Sequence, residues 1–132
     1  MKKVFINLPV KDLEKATKFY ISLGFKLNPL FTDENQKCVM WSDSIYVMLQ
    51  SEEFSKMNKI NKSFGSASFT LPLASAEKVN KMIEDGVKAG GKEIKPAIEE
   101  DYMHLRNLKD LDGHLWGIMH LDIDAFRAIK KK

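Results

Sequence analysis

One pattern occurs twice along this chain, and it limits the folds open to it. Val4 to Val10 alternates, and Asp12 follows, a residue whose carboxylate can accept the free amides of a first helical turn. Leu13, Ala16, Phe19, Tyr20 and Leu23 recur at helical spacing, and Gly24 is the kind of residue that ends such a helix. Three strand-like segments come next: Phe25 to Phe31, Cys38 to Trp41 and Ile45 to Gln50, the last two joined by a Ser42-Asp43-Ser44 turn. The order then returns. Ser66 to Leu73 reads as a strand and Ser75 as a cap. Val79, Met82, Ile83 and Val87 form one helix face, and Gly90-Gly91 stops it. Lys92 to Ile98, Tyr102 to Leu108 and His114 to Leu121 complete the set. An offset of 63 lays Asp12 on Ser75, Lys15 on Lys78, Ala16 on Val79, Phe19 on Met82 and Tyr20 on Ile83.

The pattern predicts an α+β fold of two βαβββ modules within one domain of 132 residues. Module 1 covers about 3–51, a polar linker about 52–65, module 2 about 66–121, and a C-terminal tail 122–132. Hydrophobic residues at 44% and charged residues at 30% suit a packed core and exclude a disordered chain. The single cysteine, Cys38, excludes an intrachain disulfide framework and predicts a cytoplasmic protein. No apolar run nears the ~20 residues of a membrane span. The start MKKVFINLPVKD is broken by Asn7 and Pro9 and ends in Lys11-Asp12, so it predicts no secretory leader. Net charge is +3, from 21 basic and 18 acidic residues. Arg127, Lys130, Lys131 and Lys132 supply four of the positives, and the other 17 against 18 leave −1. A near-neutral body argues against a nucleic-acid footprint, and the basic end reads as a solvated tail.

Strand alternation separates two faces. Val4, Ile6, Leu8 and Val10 alternate with Phe5, Asn7 and Pro9, and Ile45, Val47 and Leu49 with Tyr46, Met48 and Gln50. Ala67, Phe69, Leu71 and Leu73 alternate with Ser66, Ser68, Thr70 and Pro72, and Trp116 and Ile118 with Leu115, Gly117 and Met119. One face is uniformly apolar and should lie under the helices. The other carries aromatic, thioether, amide and hydroxyl groups and almost no Lys or Glu. That composition suits a partly dry cavity with a few polar anchors.

The stretches Phe5-Ile6-Asn7-Leu8-Pro9-Val10-Lys11-Asp12-Leu13-Glu14-Lys15-Ala16-Thr17-Lys18-Phe19-Tyr20, Leu23-Gly24-Phe25 and Lys109-Asp110-Leu111-Asp112-Gly113-His114-Leu115-Trp116, in this order, resemble the vicinal oxygen chelate superfamily. This is the glyoxalase/bleomycin resistance protein/dioxygenase group, and the resemblance spans roughly residues 3 to 121. It implies two βαβββ modules with curved sheets around a cleft. Metal-dependent members, lactoylglutathione lyase and extradiol dioxygenases among them, hold a divalent ion there with His, Gln or Glu from the first and last strand of each module. Carried over by position, those ligands fall on Phe5, Met48, Ser68 and Gly117. Phenyl, thioether, neutral hydroxyl and no side chain cannot replace imidazole and carboxylate around such an ion. The resemblance therefore implies the fold, while these residues predict no metal and no cofactor.

Other chemistry is sparse. Asp110-Leu111-Asp112-Gly113 resembles the start of a calcium loop, but Leu121 stands where its last ligand would be, so a hairpin turn is expected. Parity puts His114 and His120 opposite the cavity face, whereas a bulge could swing His104 inward. Cys38, in an apolar strand, reads as buried and inert. Trp41, Tyr46 and Tyr102 could stack on a flat ligand. The expected function is metal-independent binding of a small, partly aromatic molecule. The candidate contacts are Phe5, Asn7, Trp41, Tyr46, Met48, Gln50, Ser68, Thr70, His104 and Gly117. The alternatives are a metal-dependent lyase or dioxygenase of glyoxalase I or extradiol type, and a non-catalytic structural or regulatory dimer. Partners are expected to be a small molecule and a second copy in a homodimer, with no nucleic acid and no membrane.

Overall fold

The computed structural model describes residues 2–58 and 67–131; residues 59–65 of the expected linker, Ser66 and Lys132 lie outside them. Residues 1–66 and 67–132 form two compact units. The first contains β1 (Val4–Pro9), α1 (Leu13–Ser22), β2 (Lys26–Asn28), β3 (Gln36–Ser42), β4 (Ile45–Gln50) and α2 (Glu52–Met57). The second contains β5 (Ser68–Pro72), α3 (Ala76–Lys88), β6 (Lys92–Glu99), β7 (Met103–Lys109), β8 (Leu115–Leu121) and α4 (Ile123–Lys130). Each holds one four-stranded sheet, ordered β1-β4-β3-β2 and β5-β8-β7-β6. The first strand pairs parallel with the last, and the other pairings are antiparallel. The duplicated pattern thus folds into duplicated topology.

The helix boundaries follow from local chemistry. Asp12 accepts the Lys15 amide at 3.0 Å and Ser75 the Lys78 amide at 3.2 Å, each cap contributing about 1 kcal/mol. Gly24 and Gly90 stand just past the helix ends at φ +103° and +104°, where a side chain would be strained. In the first unit Leu8, Val39, Val47 and Leu49 are buried on the α1 side with Ala16, Phe19 and Tyr20. In the second, Leu71, Leu108, Trp116 and Ile118 are buried with Val79, Met82 and Ile83 of α3. These are the positions that the strand parity reserves for the helix-covered face.

Four segments differ from the sequence expectation or refine it. The strand expected over 25–31 stops at Asn28, where Pro29 begins a 3-10 turn through Phe31 and Asn28 Oδ1 accepts the Leu30 amide at 3.0 Å. The supposed irregular linker begins as helix α2, because Ser51 Oγ accepts the Phe54 amide at 3.2 Å and Glu52 and Glu53 suit a helix N-terminus. Residues 123–130 of the expected C-terminal tail form α4, none of whose side chains is buried. Asp122 caps it through the Ala125 amide at 3.0 Å, and Phe126 lies 5.5 Å from Tyr102 between ring centroids. The Asp110–Gly113 segment is a hairpin turn as expected: Asp110 Oδ1 accepts the Asp112 and His114 amides at 2.9 and 2.8 Å, and Gly113 has φ +90°. Among the described residues no helix is long and apolar enough to cross a membrane.

A polar network lies between the second sheet and α3. Arg106 donates to both Glu93 oxygens, from Nε at 2.8 Å and Nη2 at 2.7 Å. Its Nη1 donates to Asn80 Oδ1 at 2.9 Å, and His104 Nε2 donates to the same oxygen at 2.8 Å. The Glu93 and Arg106 side chains are 16% and 19% exposed, so the forked pair is partly desolvated. The Arg106 hydrogen bonds hold the Glu93 carboxyl below its ordinary range, against burial, which opposes ionisation. Such a group stabilises the fold above its unfolded value of about 4.3, and the gain is lost as pH falls through the lowered folded value. Glu93→Gln should therefore cost on the order of 1–3 kcal/mol at neutral pH. The gap to the parent should begin to narrow as pH falls below about 4 and close only below the lowered folded value. Urea midpoints measured from neutral pH downward check this, and a gap independent of pH would contradict it.

Candidate functional site

α1 and α3 each cover one face of their sheet; on the opposite face of the first unit Cys38, Tyr46, Met48 and Gln50 are also buried, while Phe5 and Asn7 are exposed. In the first unit the parallel register places Phe5 beside Tyr46 and Asn7 beside Met48. The antiparallel register adds Met40 beside Tyr46, Cys38 beside Met48 and Gln36 beside Gln50. Phe5 stacks on Tyr46 with centroids 4.7 Å apart and meets the edge of Phe31 at 5.6 Å. Lys3 Nζ donates to the Tyr46 hydroxyl at 3.0 Å and lies 5.1 Å from its ring centroid. At the other end Gln50 Nε2 donates to Asn7 Oδ1 at 3.3 Å. Between them Cys38, Met40, Tyr46 and Met48 pack together. Cys38 is fully buried and burial pushes its thiol pKa up, as expected for an inert cysteine.

In the second unit Ser68 and Thr70 lie exposed on β5, and Thr70 is paired with Gly117 of β8. Asn107 of β7 flanks Gly117 on the far side. A Cβ added at Gly117 would sit 2.9 Å from Thr70 Oγ1, 3.3 Å from Leu105 Cδ1 and 3.5 Å from Asn107 Oδ1. The space a side chain would take at Gly117 is already filled by its neighbours.

Phe5, Asn7, Tyr46, Met48 and Gln50 share one face, and Ser68, Thr70 and Gly117 share another, each within its own unit. Trp41 and His104 join neither group. Trp41 sits at a register shift between Met40 and Ser42 and packs on Phe25, 5.2 Å away. Phe25 in turn meets Tyr20 of α1, so Trp41 belongs to the helix-covered side. His104 pairs with His120 in the parity of Arg106 and Leu108, and hydrogen-bonds Asn80 of α3. The irregularity in this part of the sheet falls between Ile94 and Ile98 of β6 and leaves His104 on the α3 side. Lys3, Phe31, Met40 and Asn107 were not among the expected contacts. Parity with Phe5 marks Lys3 and the Asn28-Pro29 turn signal marks Phe31, whereas Asn107 is marked only by its cross-strand pairing with Gly117.

The metal site that the fold implies does not fit these side chains. Phe5 is engaged with two other rings, Met48 offers a buried thioether, and a ligand side chain at Gly117 would overlap Thr70. Among the described residues no group of three or more His, Cys, Asp or Glu could hold a metal ion.

Residues 2–42 match the family model described as bleomycin resistance protein-like N-terminal. Among solved structures, a hypothetical protein from S. aureus is 26% identical, with 91% of this chain and 94% of that chain covered and a TM-score of 0.74. A glyoxalase/bleomycin resistance protein/dioxygenase family enzyme from Burkholderia phytofirmans is 16% identical, with 92% and 99% covered and a TM-score of 0.78. A glyoxalase-related enzyme from Fulvimarina pelagi is 21% identical, with 91% and 88% covered and a TM-score of 0.74. No curated protein matches the chain.

The crowding at Gly117 gives a direct test. Gly117→Ala should destabilise the fold by about 1 kcal/mol or more, because a methyl group must displace a branched neighbour in a strand. Thr70→Ala combined with Gly117→Ala should recover most of that loss. Thermal melts of both single variants and of the double variant check the pair, and additive losses would show that Thr70 does not fill the space.

Proposed function

We propose that this chain, a vicinal oxygen chelate protein by its fold and by the family match over residues 2–42, binds a small, partly aromatic molecule without a metal. The observation that carries the reading is the set of residues at the family's ligand positions, Phe5, Met48, Ser68 and Gly117. None is a basic ligand. Divalent-metal catalysis in this fold needs convergent imidazole or carboxylate groups to hold the ion and a base to move the proton. Here the corresponding faces carry rings, thioethers, amides and hydroxyls. Such groups gain from burying a flat organic molecule by stacking and by a few oriented hydrogen bonds. A glyoxalase/bleomycin resistance protein/dioxygenase family enzyme is among the structures this chain resembles, and binding of an organic molecule is the part of that repertoire these side chains support.

The test pairs metal content with turnover. Protein purified without chelator should contain well under one equivalent of zinc, nickel, cobalt or manganese by elemental analysis. It should not isomerise hemithioacetals when those metals are added. A near-stoichiometric metal that chelator removes, with turnover that returns on adding it back, would overturn the reading in favour of a metal-dependent lyase.

A further inference from the structure

We infer that the exposed edge of the first unit along β1 selects a flat aromatic molecule bearing an anionic group, held by Lys3 at one end and at the other by Asn7, which the buried Gln50 orients. The inference rests on the binding reading above and adds the ligand's charge and its orientation. Three alternate residues, Lys3, Phe5 and Asn7, run along one side of β1 and its lead-in, and alternate strand residues fall on one face. Strand geometry spaces Lys3 and Asn7 about 13 Å apart, with the Phe5 ring midway. That is the order cation, ring, amide along one line. Phe5 is 44% exposed although its ring is flanked by Tyr46 and Phe31, so an aromatic surface stays open to a ligand.

The cation at the end of this line is not neutralised by the contact it makes. Lys3 Nζ donates to the Tyr46 hydroxyl at 3.0 Å, a neutral acceptor that fixes the ammonium beside the rings without cancelling its charge. That hydrogen bond also pushes the Lys3 pKa up, so the group stays protonated at neutral pH, and Asp43 acts on it more weakly than Tyr46 does. An ammonium held at the rim of an aromatic stack favours a carboxylate or sulfonate on a ring lying over Phe5, and repels a cationic ring. At the far end Asn7 is exposed and spends its carbonyl oxygen on Gln50, leaving its NH2 to donate to a ligand oxygen.

Calorimetric titration of the full chain with 2-naphthoate and its neutral match 2-naphthamide tests this. The acid should bind roughly fivefold more tightly at low salt, the preference one partly exposed ion pair supports. The preference should shrink in 0.5 M NaCl, vanish in Lys3→Met and survive in Lys3→Arg, while Phe5→Ala weakens both probes. Equal binding of acid and amide would overturn the anionic class while leaving aromatic binding intact. An acid preference that persists in Lys3→Met would overturn the role of Lys3. No binding of either probe would overturn this inference and the binding reading together.

Discussion

The parallel pairing of β1 with β4, and of β5 with β8, is the constraint on which the rest depends. Because side chains alternate along a strand, one register assigns every residue of the sheet to a face, and a slip of one residue would exchange the faces. With Leu8 beside Leu49 and Leu71 beside Ile118, the large aliphatic groups lie under α1 and α3. The same register then forces Phe5 beside Tyr46 and Thr70 beside Gly117 on the opposite side. The core and the candidate site are two consequences of one alignment.

That alignment explains what was legible in the sequence. Asp12 and Ser75, Gly24 and Gly90, and the apolar parity of four strands each express a local preference that the tertiary structure supports, so the caps, the stops and the two faces were readable. Short helices were less so. The six residues of α2 are too few to show a period, whereas in α4 Ile123, Phe126 and Ile129 do recur at helical spacing after the Asp122 cap, beside a basic end that reads as a tail. Trp41 and His104 show a different limit. Their aromatic and imidazole chemistry suggests a ligand contact, yet Trp41 shares the parity of Val39 in β3 and His104 that of Leu108 in β7, and Val39 and Leu108 are buried on the helix side.

The metal-ligand positions of the superfamily that the chain resembles fall here on Phe5, Met48, Ser68 and Gly117, side chains that suit a divalent ion poorly. A ligand at Gly117 would have to occupy space held by Thr70, Leu105 and Asn107. Phe5 is held by two neighbouring rings, and its π face offers a cation far less than an imidazole nitrogen does. In the first unit Lys3 stands at the end of the aromatic row. The two units share one topology, but the faces opposite their helices differ in chemistry: rings, sulfur and amides on one, small hydroxyls around a glycine on the other.

The most direct test of the central claim is manganese titration followed by amide NMR, because the paramagnetic ion broadens only the signals near where it binds. The account predicts that the amides of Phe5, Met48, Ser68 and Gly117 stay sharp through the first equivalents of manganese. Selective loss of those four signals at a single equivalent would contradict it.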